Sequence, residues 1–215
     1  MKKELIEAWR WRDIEDKSSS SHFDSATHPY PIMNVLVWNC KGEMKPLFRK
    51  TVMDLVDWHN PIVMVITETR LSGARANEII ETLQFDGAVV TDTVGFASGI
   101  WLLWHSDLVQ VEALASTDQE IHAIVLVRSQ TLNWLISAIY ASPRFEDRYI
   151  LWENLKMLAN IHDLPWALMG DFNKVLSEEE KSGGNHISQR RVRAIQDYMD
   201  TCHMLDVGFS GPKFT

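Results

Sequence analysis

Apolar positions in this 215-residue chain fall into two kinds of run, and their order outlines a fold. Continuous apolar stretches bounded by polar or glycine-containing breaks have the character of buried strands, whereas apolar residues recurring every three to four positions trace one face of a helix. Asn34–Trp38 predicts a strand, Pro46–Trp58 a helix with Phe48, Val52, Leu55 and Val56 on one face, and Ile62–Ile66 a second strand. That is a β-α-β opening. A short helix is expected near Ala76–Leu83, then four strands at Gly99–Trp104, Leu108–Ala113, Ile121–Val127 and Trp134–Tyr140. Their links are short and polar or glycine-containing, as in Gly95-Phe96-Ala97-Ser98-Gly99, which favours antiparallel pairing.

Farther on, Phe145–Asn160 carries Leu151, Trp152, Leu155 and Leu158 at helical spacing, and Trp166–Met169 returns as a strand running into Gly170-Asp171. A last helix is expected near Ser188–Cys202, with Ser188 as N-cap and Val192, Ile195, Met199 and Cys202 as its inner stripe. Mixed strands with helices for both outer faces predict an α/β fold, a layered α/β/β/α sandwich. Residues 1–32 include the run Ser18–Ser21 and the segment His28-Pro29-Tyr30-Pro31 without a sustained apolar period, and read as a flexible leader. The domain is therefore expected to occupy residues 33–215 as one unit.

A hydrophobic content of 46% is enough for a substantial core. No stretch approaches the roughly 18 continuous apolar residues of a spanning helix. The N-terminus M-K-K-E-L-I-E-A-W-R-W-R-D also lacks a signal peptide's apolar centre, so a soluble, intracellular protein that is neither secreted nor membrane-bound is expected. Cys40 and Cys202 stand far apart without metal-ligand spacing, which points to buried thiols rather than a disulfide framework or a zinc site. The formal charge of −8 argues against a general nucleic-acid coat, which would need a basic surface, but not against an enzyme that uses carboxylates to hold a cation.

Polar residues stand where predicted strands end. Asn39 follows Val35-Leu36-Val37-Trp38, Glu68 follows Ile62–Ile66, Tyr140 ends the Trp134 strand, and Asp171 with Asn173 follows Trp166–Met169. A hard cation such as magnesium takes oxygen ligands and keeps several waters, so one or two carboxylates suffice; Glu68 is the preferred ligand, with Asn39 beside it. Phosphodiester hydrolysis needs an oriented water, a base, and donors at the developing charge. Asp171 suits the water, and the Asn173 amide and Tyr140 hydroxyl suit the phosphate oxygens.

Taken singly, each has a plainer reading: Asn39 a strand-exit turn, Glu68 a solvated loop carboxylate, Tyr140 a core-edge aromatic, Asp171-Phe172-Asn173 a turn or cap. Their joint order shifts the balance. Elsewhere the plainer reading prevails: Arg190, Arg191 and Arg193 suit a solvated helix face, Glu178-Glu179-Glu180 a solvated loop, and His105 and His122 structural roles.

The ordered strings N-V-L-V-W-N-C-K-G, V-I-T-E-T-R, G-F-A-S-G-I-W-L-L-W, A-I-Y-A-S-P, M-G-D-F-N and G-P-K-F-T, spread from Met33 to Thr215, resemble endonucleases of the endonuclease/exonuclease/phosphatase superfamily carried by plant non-LTR retroelements. The resemblance implies a DNase-I-like four-layer α/β/β/α sandwich, cleavage of DNA with Mg2+ or Mn2+, and, through that substrate, a nuclear location, with the cytoplasm as the alternative. Carried over residue by residue, it implies Asn39, Glu68, Tyr140, Asp171 and Asn173 as catalytic residues, Glu68 and Asn39 as metal-binding, and Thr215 as the substrate-binding threonine of an F-T-W motif. In the family the pattern continues through an L-D-R or I-D segment to a final S-D-H, whereas this sequence ends at Phe214-Thr215. The expectation is thus a domain incomplete at its C-terminus, lacking its last strands and an Asp–His pair at the scissile phosphate. The alternative that follows is a catalytically dead retroelement-derived fragment with at most a binding role. These patterns carry no information on oligomeric state.

Overall fold

The computed structural model describes residues 6–10, 34–42, 47–93, 99–129, 132–173 and 189–205. In chain order the elements are β1 (Ile6–Arg10), β2 (Asn34–Asn39), α1 (Phe48–His59), β3 (Val63–Thr67), α2 (Gly73–Ile80), β4 (Gly87–Val90), β5 (Ile100–Trp104), β6 (Val109–Ser116), β7 (Glu120–Val127), β8 (Asn133–Tyr140), α3 (Arg148–Ile161), β9 (Trp166–Asp171) and α4 (Gln189–Thr201). They form a five-stranded sheet in the order β1-β2-β3-β5-β4 and a four-stranded sheet in the order β6-β7-β8-β9.

Among the described residues, each sheet contains one parallel pair built by a helical crossover: β2 with β3 through α1, and β8 with β9 through α3. All other pairs are antiparallel. In a parallel pair both C-terminal ends lie at the same edge of the sheet, and that edge is where α/β proteins commonly hold their ligands.

Three apolar clusters give the layers. The central one takes Val35, Val37, Val63, Val65, Ile100 and Leu102 from the first sheet, packed against Ile121, Ala123, Val125, Ile136, Ala138 and Tyr140 of the second. On its other face the first sheet buries Leu36, Trp38, Met64, Ile66, Trp101 and Leu103 under Phe48, Val52, Leu55 and Val56 of α1 and Ala76 and Ile80 of α2. The second sheet buries Ile139 with Leu151, Trp152 and Leu155 of α3 and Cys202 just beyond α4. This is the expected α/β/β/α sandwich. It also explains the unbroken apolar runs of β2, β3 and β5, because a strand covered on both faces has no solvent side for polar residues.

The inner faces expected for α1 and α3 are the buried ones, Phe48, Val52, Leu55 and Val56 in the first and Leu151, Trp152, Leu155 and Leu158 in the second. Two strands differ from expectation. Ile6–Arg10, expected within a flexible leader spanning residues 1–32, pairs antiparallel with β2 from Ile6 opposite Trp38 to Arg10 opposite Asn34. An edge strand needs little beyond main-chain donors and acceptors, so it leaves a weak mark in the side-chain pattern. Strand β4 escaped for a related reason: it is four residues long and only partly buried at the opposite edge.

Gly95, Phe96, Ala97, Ser98 and the expected N-cap Ser188 lie outside the described residues, as do the side chains of Val192 and Ile195. Among the described residues no helix is long and apolar enough to cross a membrane.

Gly170 sets the spacing of the second parallel pair. It stands at φ 136°, and a β-carbon there would fall 1.9 Å from the Ile139 carbonyl oxygen. Gly170→Ala is therefore expected to lower stability by more than about 1 kcal/mol in urea unfolding, since alanine is strained at positive φ and here also forces β9 off β8. An unchanged unfolding midpoint would show that the close approach does not exist.

Candidate active site

Three of the expected residues follow directly from strand alternation. In β2, Val35 and Val37 face the central core, which puts Asn39 on that side; in β9, Met169 does the same for Asp171; Tyr140 is itself part of that core. Asn39 pairs with Thr67 across the first sheet, and Tyr140 with Asp171 across the second, so all lie at one edge of the sandwich.

Glu68 follows a different rule. Alternation after Val63 and Val65 would send residue 68 toward the helix layer, but Glu68 takes a left-handed conformation with φ 57°. Its carboxylate is thereby turned to Asn39, whose Nδ2 donates to Glu68 Oε1 at 3.2 Å and to Asp171 Oδ2 at 2.8 Å. One buried amide thus ties a carboxylate carried by the first sheet to one carried by the second. Its own oxygen, Oδ1, accepts the Lys41 backbone N–H at 2.9 Å. Asn39 was expected beside Glu68 as a cation ligand; here it presents its nitrogen to the carboxylates and acts as the donor that orients them.

The flanking turns are equally unusual. Lys41, Arg70 and Asn173 also have positive φ, at 52°, 55° and 48°. Gly42, at φ 69°, leaves room for the Arg70 side chain, which a β-carbon there would meet at 2.4 Å. Arg70 is about half exposed and lies 3.9 Å from Glu68 Oε2, a loose pair open to solvent screening.

In the second sheet, Asp171 Oδ1 accepts the Asn173 N–H at 2.7 Å, and Asn173 Nδ2 donates to the Ala141 carbonyl at 2.7 Å. Glu68 and Asn173 are polar side chains that bear on the Tyr140 hydroxyl. Its pKa is pushed up to about 12, first by burial and then by the nearby Glu68 charge, against a lowering hydrogen bond from Asn173. The phenol is therefore a neutral donor across the physiological range.

Among the described residues no group of three or more His, Cys, Asp or Glu side chains gathers in a way that could hold a metal ion. The donor set of Glu68 and Asp171 nevertheless fits a hard cation of the magnesium type, which needs one or two carboxylates and keeps waters in its other positions. Two carboxylates sharing one neutral amide also leave negative charge that a cation would offset.

The structure brings Asn39, Glu68, Tyr140, Asp171 and Asn173 together; Thr215 lies outside the described residues, as do Glu178, Glu179 and Glu180 and the side chains of Arg190 and Arg191. Arg193 is exposed. His122 is buried on the opposite face of the second sheet, 2.7 Å from Ser137 Oγ through Nδ1 and 3.1 Å from Glu120 Oε2 through Nε2. His105 packs on Phe85, their ring centroids 4.7 Å apart. Cys40 and Cys202 are buried free thiols.

Sequence reasoning passed over Arg148 and Gln119. Gln119 accepts the Tyr140 N–H on its backbone oxygen at 2.9 Å, and the Ser142 N–H on Oε1 at 2.7 Å. Arg148 carried a readable signal, a charge at helical spacing from Leu151, Trp152 and Leu155 on the inner face of α3.

Residues 36–208 match the family described as endonuclease/exonuclease/phosphatase. No curated protein matches the chain. Among solved structures, the AP endonuclease LMAP from Leishmania major superposes with a TM-score of 0.65 at 13% identity, covering 84% of this chain and 70% of that one. The endonuclease domain of TRAS1, a telomere-specific non-LTR retrotransposon, gives 0.56 at 13% identity, covering 78% of this chain and 69% of that one. The human Nocturnin catalytic domain gives 0.51 at 16% identity, covering 68% of this chain and 66% of that one. At such identities the likeness establishes the DNase-I-like fold. The chain spans about two thirds of the length of these structures.

The Tyr140 environment predicts a pH dependence. A group whose folded pKa lies above its unfolded value stabilises fully below the unfolded value, and that contribution is lost as pH rises toward the folded one. Stability should fall between pH 10 and about 12, the ordinary and folded values for Tyr140, more steeply than in Tyr140→Phe. Parallel thermal melts of the two proteins across this range test it; identical slopes would mean that Tyr140 titrates as an exposed phenol.

Proposed function

Because this chain belongs to the endonuclease/exonuclease/phosphatase family, we propose that it is a divalent-metal-dependent DNA endonuclease of the kind carried by plant non-LTR retroelements. The observation that carries this reading is the Asn39 amide holding Glu68 and Asp171 together at the strand ends of both sheets. Phosphodiesterase fold alone does not choose a substrate. The choice of DNA is supported by the ordered strings from N-V-L-V-W-N-C-K-G to M-G-D-F-N and by the likeness to the TRAS1 endonuclease domain. A DNA substrate would place its action in the nucleus.

Hydrolysis adds a water oxygen to phosphorus and expels the 3′ or 5′ oxygen, which takes a proton from solvent to leave as an alcohol, so the site must take a proton from the attacking water and meet charge on the phosphate. Asp171 is the base in this scheme: Asn39 Nδ2 and the Asn173 N–H fix its two oxygens, and each oxygen keeps a lone pair for water. The Tyr140 hydroxyl, held neutral by burial, donates to a phosphate oxygen. Asn173 keeps that hydroxyl in place. Glu68 would hold Mg2+ or Mn2+, with Asp171 nearby; when bound, the cation supplies positive charge at the phosphate oxygens. Asn39 sets the separation of the two carboxylates. The net charge of −8 makes such charge compensation a condition for a phosphodiester to approach.

Purified chain is expected to nick supercoiled plasmid with magnesium and not with chelator. Asp171→Ala should lower the rate about 10²- to 10⁴-fold, the range of a lost general base. Glu68→Ala should abolish metal dependence together with activity, with circular dichroism unchanged for both. A folded chain that binds DNA but never nicks it would replace this reading with that of a retroelement-derived binding fragment.

Tyr140→Phe removes one donor and keeps the ring, so nicking should slow about 10²-fold, in line with loss of a single charge-stabilising donor. Wild-type rates in Tyr140→Phe would remove the hydroxyl from the scheme.

A further inference from the structure

Arg148 is a buried arginine with an uncommon task. It opens α3, is 6% exposed, and its guanidinium donates to backbone carbonyls on both sides of the site: Ser142 and, at 3.1 Å, Pro143 in the β8–α3 loop, and Asn173 at 2.9 Å beyond β9. One helical turn later, Trp152 lies parallel to Phe172, with centroids 6.4 Å apart and planes 6° from parallel, and stacks on Tyr198 of α4 at 5.2 Å. The same face of α3 thus grips Phe172 by its ring and Asn173 by its carbonyl.

Asn173 needs such a grip. It is a non-glycine residue at φ 48°. Residues other than glycine adopt this conformation sparingly, asparagine more readily than most, and it persists where the surroundings hold it. Two of its anchors come from the strand ends it follows, Asp171 Oδ1 and the Ala141 carbonyl. Arg148 supplies the anchor from the helix layer, and because it also holds residues 142 and 143 it fixes Asn173 relative to the loop that leaves Tyr140. A planar fork with several donors can reach these carbonyls together, which a lysine ammonium cannot reproduce.

We propose that Arg148 is a positioning residue, which locks Asn173 in its left-handed conformation and so keeps the Asn173 side-chain amide on the Ala141 carbonyl, next to Tyr140. Its effect on rate rests on the endonuclease reading above; its effect on Asn173 does not.

The test compares Arg148→Met and Arg148→Lys, each alone and combined with Asn173→Ala, by amide hydrogen exchange and by steady-state nicking of a duplex oligonucleotide. In Arg148→Met the Asn173 amide should exchange at least about tenfold faster while β2, β3 and β8 keep their protection, the signature of local rather than global opening. For nicking, kcat should fall about 10- to 100-fold with KM little changed, as for a displaced group near the chemistry. In the Asn173→Ala background the same substitution should cost less than about twofold, because the group it acts through is gone.

Unchanged exchange at Asn173, or an equal kcat loss with and without the Asn173 side chain, would overturn the proposal. Should Arg148→Met not fold, Arg148→Lys, which keeps the charge and loses the fork, decides by the same exchange comparison. Accelerated exchange at Asn173 in a chain whose wild type does not nick DNA would uphold the positioning role and reject the endonuclease reading.

Discussion

Burial of the central strands on both faces governs this molecule. In β2, residues 35 and 37 belong to the core between the sheets while 36 and 38 belong to the core under the helices, and β3 and β5 repeat the pattern. Such strands have no lateral position at which a polar group can reach water without costing several kcal/mol of desolvation. Polar chemistry is confined to the strand ends. The two parallel pairs bring four of those ends to one edge, where Asn39 and Thr67 face each other in one sheet and Tyr140 and Asp171 in the other.

Given that confinement, regular alternation aims Asn39, Tyr140 and Asp171 inward at the mouth of the central core, and one residue must break the rule for the group to close. Glu68 does so by its left-handed backbone. Lys41, Arg70 and Asn173 share that conformation, so four of the six described non-glycine residues with positive φ flank this edge. Strain of this kind survives only where packing and hydrogen bonds leave no alternative. Here they are supplied by the Asn39 amide, the Asp171 carboxylate, the Ala141 carbonyl and the Arg148 fork.

The electrostatics follow from the same geometry. Among the described residues, two carboxylates share one neutral amide, and Arg70, 3.9 Å from Glu68 and half exposed, pairs with Glu68 only loosely. The resulting negative field, added to burial, keeps the Tyr140 phenol protonated. Two carboxylates so placed carry negative charge that a cation would offset, and the proposed phosphodiester chemistry rests on that offset.

Local pattern encoded much of this directly. The periods of two and of about 3.6 residues are properties of neighbouring positions, so the burial of Phe48, Val52, Leu55 and Val56, of Leu151, Trp152, Leu155 and Leu158, and the strands carrying Asn39, Tyr140 and Asp171 are all written in the sequence. The same holds for the layered architecture, since strands apolar on every residue require cover on both sides. Pairing at the sheet edges was decided only in three dimensions: β1 and β4 are held by main-chain bonds to β2 and β5, and main-chain groups are common to every residue. So was the turn of Glu68 toward Asn39, which reverses strand alternation through a single φ angle. Arg148 shows the division most clearly. Its place on the inner face of α3 is visible as a charge within an apolar stripe, but its task depends on carbonyls of residues 142, 143 and 173, brought together by the parallel pairing of β8 and β9, and no local period can specify a contact made across that distance in the chain.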